Sequence, residues 1–246
     1  MKDNWLTSSP IAHRGITNQK EGILENSIES VKLCLKYNIP IEIDVRMTKE
    51  NEIILLHDNY VIFNSNTKKH YKNITNNDIN NKCILNSNCK IATLKQTLET
   101  IEGKIPILIE PKIEKNKKKM KAFIEELEQI LNTYNGPYAI HSFHFNIHKL
   151  FKNNKIKKGI IIPMLNTLPT FLKNLLNKAI LNKKEHDFIS FKVEDLSKTT
   201  IKYLKSHNKP LLLWTIDINK YYSHIKELDA NLIIKIEESD IKDCFN

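Results

Sequence analysis

The chain has 246 residues, of which 41% are hydrophobic and 27% charged, and its formal net charge at pH 7 is +10. This balance is typical of a folded globular protein and excludes a largely disordered chain. The positive charge comes mostly from lysines scattered among asparagine and isoleucine rather than gathered into a basic stripe, so we expect no nucleic-acid partner.

Neither secretion nor a membrane span is predicted. The segment from Met1 to Thr7 lacks the apolar stretch of a signal peptide, and no run approaches the roughly 18 apolar residues of a membrane span. The four cysteines lack paired CxxC spacing and are predicted to be free thiols; they are Cys34, Cys83, Cys89 and Cys244. We expect a cytoplasmic protein with a single domain over residues 1–246. The sequence does not determine its oligomeric state.

Short apolar runs bounded by polar residues recur along the chain and predict strands. In chain order they are Ile11–Arg14, Pro40–Val45, Pro106–Glu110, Tyr138–Phe143, Gly159–Ile162, Phe188–Phe191, Pro210–Thr215 and Asn231–Ile234. Segments of helical period lie between them: Ser27–Tyr37, Thr93–Glu102, Lys117–Asn132, Leu168–Asn182, Thr199–His207 and Tyr221–Leu228. Eight strands alternating with helices in a chain of this length predict an α/β fold, the (β/α)8 TIM barrel.

One apolar run interrupts this alternation. Glu52–Asp58 follows the second strand after the turn Lys49–Asn51, which is too short for a parallel crossover, so the run is predicted to pair as a hairpin. The polar segment Asn59–Ile91 predicts an insertion after the second barrel strand, above the barrel mouth, with a short helix near Asn76–Asn80. The lysine-rich segment Lys115–Lys121 predicts a solvated helix face.

Ionisable residues stand where several predicted strands end. They are His13, Arg14, Glu42, Asp44, His57 and Glu110. In a βα barrel the C-terminal ends of the strands share one mouth, so these side chains are predicted to converge. Taken singly, each histidine could have a structural role, and each acid could lie at the edge or the end of a strand. Their joint occurrence favours one active site.

These residue types point to phosphate chemistry. Glu42, Asp44 and Glu110 offer three hard oxygen ligands, which suit one divalent cation, Mg²⁺ or Ca²⁺. Arg14 can hold a phosphoryl group with its guanidinium fork. His13 and His57 can act as base and acid, because the imidazole pKa lies near neutral pH. The constellation therefore predicts a metal-dependent phosphodiesterase.

The chain also resembles the glycerophosphodiester phosphodiesterase family, and the shared motifs run in order over nearly its whole length. They are Ile11–Gly15, Glu25–Ser27, Glu42–Val45, His57–Asp58, Ala92–Leu94, Ile109–Lys112, Ser142–Phe143 and Trp214–Thr215. The resemblance implies a TIM barrel that hydrolyses small glycerophosphodiesters, such as deacylated phospholipids, to glycerol 3-phosphate and an alcohol, and so implies a role in lipid and glycerol metabolism.

Residue by residue, the resemblance implies that His13 and His57 are the acid/base pair. It implies that Arg14 and Lys112 contact the phosphate. By the same resemblance, the metal ligands would be Glu42, Asp44 and Glu110. The supporting residues would be Glu25, Asn26, Asp58 and Trp214. For Trp214, packing in the core is an equally good interpretation.

The chain departs from the family pattern in three places. Asn59–Ser65 replaces an Arg-Thr-Thr stretch, Asp217 replaces an asparagine, and Lys235–Glu237 replaces a Thr-Asp ending. These changes spare the acid/base and metal sets and bear on substrate choice and loop packing. Two alternatives stay open: a lysophospholipase D-like or sphingomyelinase D-like phosphodiesterase on the same barrel, and a non-catalytic phosphate-binding pseudoenzyme.

Overall fold

A computed structural model describes residues 5–162, 185–206, 209–217 and 228–242. Its strands are β1 (Ile11–Thr17), β2 (Ile41–Met47), β3 (Ile53–Leu55), β4 (Tyr60–Ile62), β5 (Lys68–His70), β6 (Ile107–Pro111), β7 (Tyr138–Ser142), β8 (Lys157–Ile161), β9 (Phe188–Lys192), β10 (Leu211–Asp217) and β11 (Asn231–Glu237). Eight of them pair in parallel in the order β1, β2, β6, β7, β8, β9, β10 and β11, and β11 pairs with β1. The predicted closed barrel is confirmed.

The described helices are α1 (Trp5–Ser8), α2 (Ile28–Tyr37), α3 (Asn76–Asn81), α4 (Leu94–Ile101), α5 (Lys117–Asn132), α6 (Ile147–Leu150) and α7 (Lys198–Lys205). The helices predicted at α2, α4, α5 and α7 are confirmed, while α1 and α6 were not predicted. The predicted helices Leu168–Asn182 and Tyr221–Leu228 lie outside the described residues, apart from Leu228 itself. No helix in the described ranges has both the length and the apolar character needed to cross a membrane.

Alternation along the barrel strands separates a polar interior from an apolar exterior. On β2, Ile41, Ile43 and Val45 pack into the main core between barrel and helices, so the intervening Glu42 and Asp44 point into the barrel. The base of the barrel is filled by a separate cluster: Leu6, Ile11, Leu108, Ala139, Phe188, Leu212 and Ile233. The barrel is therefore plugged at one end, and its ionisable groups collect at the other.

Side-chain hydrogen bonds fix the start of α2 and the junction between the first and last barrel strands. Ser27 caps α2, because its side chain accepts the backbone N–H of Ser30 at 3.1 Å. Glu237, one of the residues that depart from the family pattern, joins the last strand to the first: its carboxylate accepts from the Thr17 hydroxyl at 2.7 Å and from the Gln19 N–H at 2.6 Å.

The insertion is more ordered than the sequence indicates. β3 pairs antiparallel with β2, which confirms the hairpin, but it is shorter than the predicted Glu52–Asp58. β4 and β5 form a further antiparallel hairpin that was not predicted. The insertion has its own core, made of Ile54, Val61, Phe63, Tyr71, Ile74, Ile79 and Ile91, and α3 confirms the predicted short helix.

Among the described residues, Cys34, Cys83 and Cys89 are free thiols, as predicted. Cys244 lies outside the described residues.

Candidate active site

The strand register brings the three predicted carboxylates together. Asp44 on β2 lies opposite Glu110 on β6, and Glu42 lies opposite His13 on β1. Glu42, Asp44 and Glu110 are 2%, 1% and 7% exposed. Three buried acids close together inside a barrel require neighbouring positive charge, since an isolated buried carboxylate is costly.

Asp44 receives that charge from both sides. Its Oδ1 lies 2.6 Å from Nζ of Lys112, and its Oδ2 lies 3.0 Å from Nε of Arg14. The Asn26 amide donates to Oδ2 at 3.0 Å, and its oxygen accepts the Asp44 N–H at 3.1 Å. Burial acts to raise the pKa of Asp44, but Lys112 and Arg14 together outweigh it and lower that pKa to about 2. Asp44 is therefore an ionised carboxylate whose two oxygens are both engaged.

Glu42 and Glu110 are less fully compensated. Glu42 accepts the backbone N–H of Arg14 at 3.1 Å, and Glu110 accepts from Lys112 Nζ at 2.6 Å. Burial, followed by the nearby Asp44 charge, raises the pKa of Glu42 to about 8. Burial likewise raises the pKa of Glu110, to about 7, in spite of the opposing charge of Lys112. These two acids need more positive charge than the described side chains provide.

His141 completes this group, and it was missed in the sequence. Its Nε2 lies 3.7 Å from Oε1 of Glu42, and single ligand atoms of Glu42, Glu110 and His141 all lie within 4.8 Å of one another, so the three residues could hold a metal ion. Its signal in the sequence was slight: one histidine near the C-terminal end of an apolar strand, as for His13.

An unusual backbone in the middle of β1, where its register with β11 shifts between Ala12 and Ile16, aims Arg14 into the site. Arg14 and Gly15 have φ values of 59° and 87°, in the left-handed region that favours glycine. This turn directs the Arg14 N–H at Glu42 and its side chain between Asp44 and Glu25, whose Oε1 lies 2.7 Å from Nη1. Glu25 and Asn26 thus hold Arg14 and Asp44 in place, consistent with the supporting roles expected of them.

The two predicted acid/base histidines both face this cluster and influence each other's charge. Burial, and then Arg14, lowers the pKa of His13 to about 3. Burial, and then Lys112, lowers the pKa of His57 as well. Nδ1 of His57 lies 2.8 Å from Oδ1 of Asp58, which orients the ring and leaves Nε2 for the site. Both shifts favour the neutral form of the imidazole in the protein without substrate.

A cleft of about 710 Å³ opens beside His57, Glu110 and Lys112. Its wall carries five cations and three carboxylates; the cations are Arg46, Lys72, Lys112, Lys115 and Lys119, and the carboxylates are Asp58, Glu110 and Glu114. Phe143 also lines it, and the half-buried Trp214 packs edge-on against Phe143 with ring centroids 5.8 Å apart. Trp214 therefore lies at the mouth of the barrel, next to the cleft.

A closed parallel barrel with ionisable side chains gathered at the C-terminal ends of its strands is an enzyme architecture. The chain belongs to the Glycerophosphoryl diester phosphodiesterase family, whose model matches residues 13–235. It is accordingly a phosphoric diester hydrolase.

Individual relatives agree with this assignment. The chain is 24% identical over 238 residues to a Bacillus subtilis (strain 168) protein named "Putative glycerophosphodiester phosphodiesterase YhdW", covering 91% of this chain and 92% of that protein. Its fold is similar to that of an Oleispira antarctica phosphodiesterase in complex with the product sn-glycerol-3-phosphate, with a TM-score of 0.76, 16% identity and coverage of 97% and 96%. A glycerophosphodiester phosphodiesterase from Parabacteroides distasonis gives a TM-score of 0.73, 19% identity and 97% coverage of both chains.

Proposed function

We propose that residues 1–246 act as one catalytic domain that hydrolyses glycerophosphodiesters to glycerol 3-phosphate and an alcohol, with one divalent cation and with His13 and His57 as the acid/base pair. The observation that carries the proposal is the convergence of two imidazoles, two cations and three buried carboxylates at one barrel mouth. The product bound by the Oleispira antarctica relative is consistent with this substrate class.

The phosphodiester needs positive partners, and Arg14 and Lys112 supply them. Both side chains lie at the rim of the carboxylate cluster, 17% and 11% exposed. Each is fixed by Asp44, so neither has to reorganise when a phosphate arrives. The guanidinium can offer two parallel N–H donors, whereas the ammonium acts as a point charge.

The residues present fit a divalent cation. Glu42, Asp44 and Glu110 are buried acids close together inside the barrel, and burial, together with the Asp44 charge, raises the pKa values of Glu42 and Glu110 in spite of Lys112. We assign these carboxylates as the ligands of Mg²⁺ or Ca²⁺. When bound, such an ion polarises a phosphoryl oxygen and neutralises charge that develops on it.

His13 and His57 move the protons. One imidazole removes a proton from the nucleophile as the new P–O bond forms. Attack by water gives glycerol 3-phosphate directly, whereas attack by the neighbouring glycerol hydroxyl gives a cyclic phosphate that water opens in a second step. The other imidazole, in its protonated form, donates a proton to the oxygen of the departing alcohol as the old P–O bond breaks. Asp58 fixes the His57 ring through Nδ1, so that Nε2 carries out the transfer.

Release of glycerol 3-phosphate from glycerophosphocholine by the purified protein tests the proposal. We expect release to stop with excess chelator and to fall by about a thousandfold in His13→Ala and His57→Ala, the range lost with a general acid or base. His144→Ala, which removes a histidine outside the acid/base pair, is the matched control. Full activity in chelator or in either variant would contradict the mechanism.

A lysophospholipase D-like activity has one observation in its favour. Ile113 lines the cleft and is 45% exposed, and an acyl chain could pack against it. A higher kcat/KM for lysophosphatidylcholine than for glycerophosphocholine would support that substrate. Tight binding of glycerol 3-phosphate without turnover of either diester would support the pseudoenzyme.

A further inference from the structure

We infer that His141 supplies a nitrogen ligand to the metal ion, and that the site consequently prefers a first-row transition ion such as Mn²⁺ to Mg²⁺ or Ca²⁺. The inference rests on the metal dependence proposed above. It adds a ligand and a metal class to a site that was assigned only carboxylates.

The first observation is the state of the imidazole. His141 on β7 is 3% exposed, and its Nδ1 lies 3.0 Å from the Ser190 hydroxyl on β9. Its Nε2 is buried without a hydrogen-bond partner among the described residues, because the 3.7 Å to Glu42 Oε1 exceeds hydrogen-bonding distance. A buried polar atom left in this way requires an explanation, and binding of an ion is a recognised one.

The second observation is what the Nε2 atom faces. In the tautomer that donates its Nδ1 proton to the Ser190 hydroxyl, Nε2 carries a lone pair. That lone pair converges with one carboxylate oxygen each from Glu42 and Glu110, and the three atoms lie within 4.8 Å of one another. Three acceptors that face one point repel each other unless a cation lies between them.

The third observation is that Asp44 is already engaged. Lys112 holds its Oδ1, while Arg14 and Asn26 hold its Oδ2. His141 has no comparable partner at Nε2 among the described residues, so this nitrogen can bind an ion beside the carboxylates without losing an existing hydrogen bond.

The ligand chemistry then determines the metal class. All-oxygen sites suit Mg²⁺ and Ca²⁺, whereas imidazole favours first-row transition ions. Ser190 acts as a positioning residue, since the partner of the second ring nitrogen fixes the tautomer and the ring orientation of a metal-bound histidine.

Pulsed EPR of the Mn²⁺-loaded protein tests the inference directly. We expect ¹⁴N coupling from one imidazole in the wild-type protein and its loss in His141→Gln, while the matched control His144→Gln keeps it. Absence of the coupling in the wild-type protein, or its persistence in His141→Gln, would overturn the inference. The wild-type spectrum decides the question even if the variant fails to fold.

Calorimetric titration provides a second measurement. His141→Gln should weaken Mn²⁺ binding by about tenfold or more and Ca²⁺ binding by less than about threefold, and Ser190→Ala should weaken Mn²⁺ binding by about tenfold, as outer-shell partners do. Equal losses for Mn²⁺ and Ca²⁺ would contradict the inference, as would failure of the wild-type protein to bind Mn²⁺.

The hydrolysis assay separates this inference from the proposed function. Chelator-sensitive hydrolysis without ¹⁴N coupling overturns the histidine ligand alone. Bound Mn²⁺ with ¹⁴N coupling but without hydrolysis supports the ligand and overturns the proposed activity.

Discussion

The ammonium group of Lys112 lies 2.6 Å from Oδ1 of Asp44, and it is equally close to Oε1 of Glu110. One cation thus joins carboxylates from two neighbouring barrel strands, β2 and β6. Its side chain is only 11% exposed, so these contacts are formed largely away from water. Lys112 therefore belongs to the proposed phosphate site and also stabilises two buried carboxylates.

Replacing Lys112 with Met should affect both roles. We expect kcat/KM to fall by about a hundredfold or more, the cost of removing one preorganised charge from a developing oxyanion. Without added metal, the free energy of unfolding should fall by about 3 kcal/mol, because a buried charge loses its partner. Steady-state kinetics and denaturant unfolding measure the two effects. Lys121→Met, an exposed change on α5, is the control, and equal losses in both variants would contradict the assignment.

The pH dependence of turnover should reflect the lowered pKa values of the two histidines. An imidazole accepts a proton only when neutral, so kcat/KM should fall on the acid side with an apparent pKa below the usual 6.5. The Asp58 hydrogen bond acts to raise the pKa of His57, so Asp58→Asn should move this acid limb to still lower pH. Measurements of kcat/KM against pH for the wild-type protein, Asp58→Asn and the surface control Asp240→Asn test the expected direction of both pKa changes. An acid limb above pH 6.5, or a shift to higher pH in Asp58→Asn, would contradict the account.

The charge of the cleft predicts a preference among alcohol head groups. The Tyr71 ring, which could otherwise bind a quaternary ammonium, already has Arg46 at 4.8 Å and Lys72 at 5.2 Å from its centroid. Glu114 is engaged by the Tyr71 hydroxyl and by Lys72. Lys119 lines the cleft and forms no ion pair within the described part of the chain.

We therefore expect a diester whose alcohol carries a second anionic group to be hydrolysed with a higher kcat/KM than glycerophosphocholine. Lys119→Gln should lower kcat/KM for the anionic diester by about threefold, the scale of one exposed ion pair, and leave glycerophosphocholine unchanged. Lys118→Gln, the neighbouring lysine outside the cleft, is the matched control. A preference for the choline diester in the wild-type protein would refute this prediction.

The barrel and most of the site could be predicted because their signals are local. Alternation of Ile41, Ile43 and Val45 with Glu42 and Asp44 shows in the sequence that two acids point into the barrel. The strand ends then bring His13 beside Glu42 and Glu110 beside Asp44, as the register confirms. Period, spacing and the geometry of a barrel were sufficient for these residues.

The parts that could not be predicted depend on distant partners. His141 is notable only because of Ser190 and Glu42, which lie 49 and 99 residues away in the chain. The β4–β5 hairpin consists of three-residue strands in which only Val61 of β4 is buried, so no periodic pattern marks it. Tertiary pairing, rather than local preference, creates both features.

Gly15 provides a last prediction, because it lies in close contact with the start of α2. A Cβ at this position would lie 2.5 Å from Oγ of Ser30, and the backbone φ of +87° is unfavourable for any other residue. Ser30 cannot move aside easily, since its hydroxyl donates to the carbonyl of Ser27 at 2.8 Å and accepts its N–H at 3.2 Å. The glycine therefore lets the start of α2 pack directly against the turn that carries Arg14.

Gly15→Ala should lower the free energy of unfolding by about 3 kcal/mol, combining backbone strain with overpacking, and should lower kcat/KM by displacing Arg14. Gly22→Ala is the matched control, because Gly22 also has a positive φ, +67°, but its nearest neighbour would lie 3.8 Å from the added carbon. Gly22→Ala should lower the free energy of unfolding by only about 1 kcal/mol, from backbone strain alone, and should leave turnover intact. Denaturant unfolding of both variants separates the two contributions. Equal costs would show that the contact with Ser30 adds nothing, and that Arg14 is positioned by its own backbone conformation and its contacts with Asp44 and Glu25.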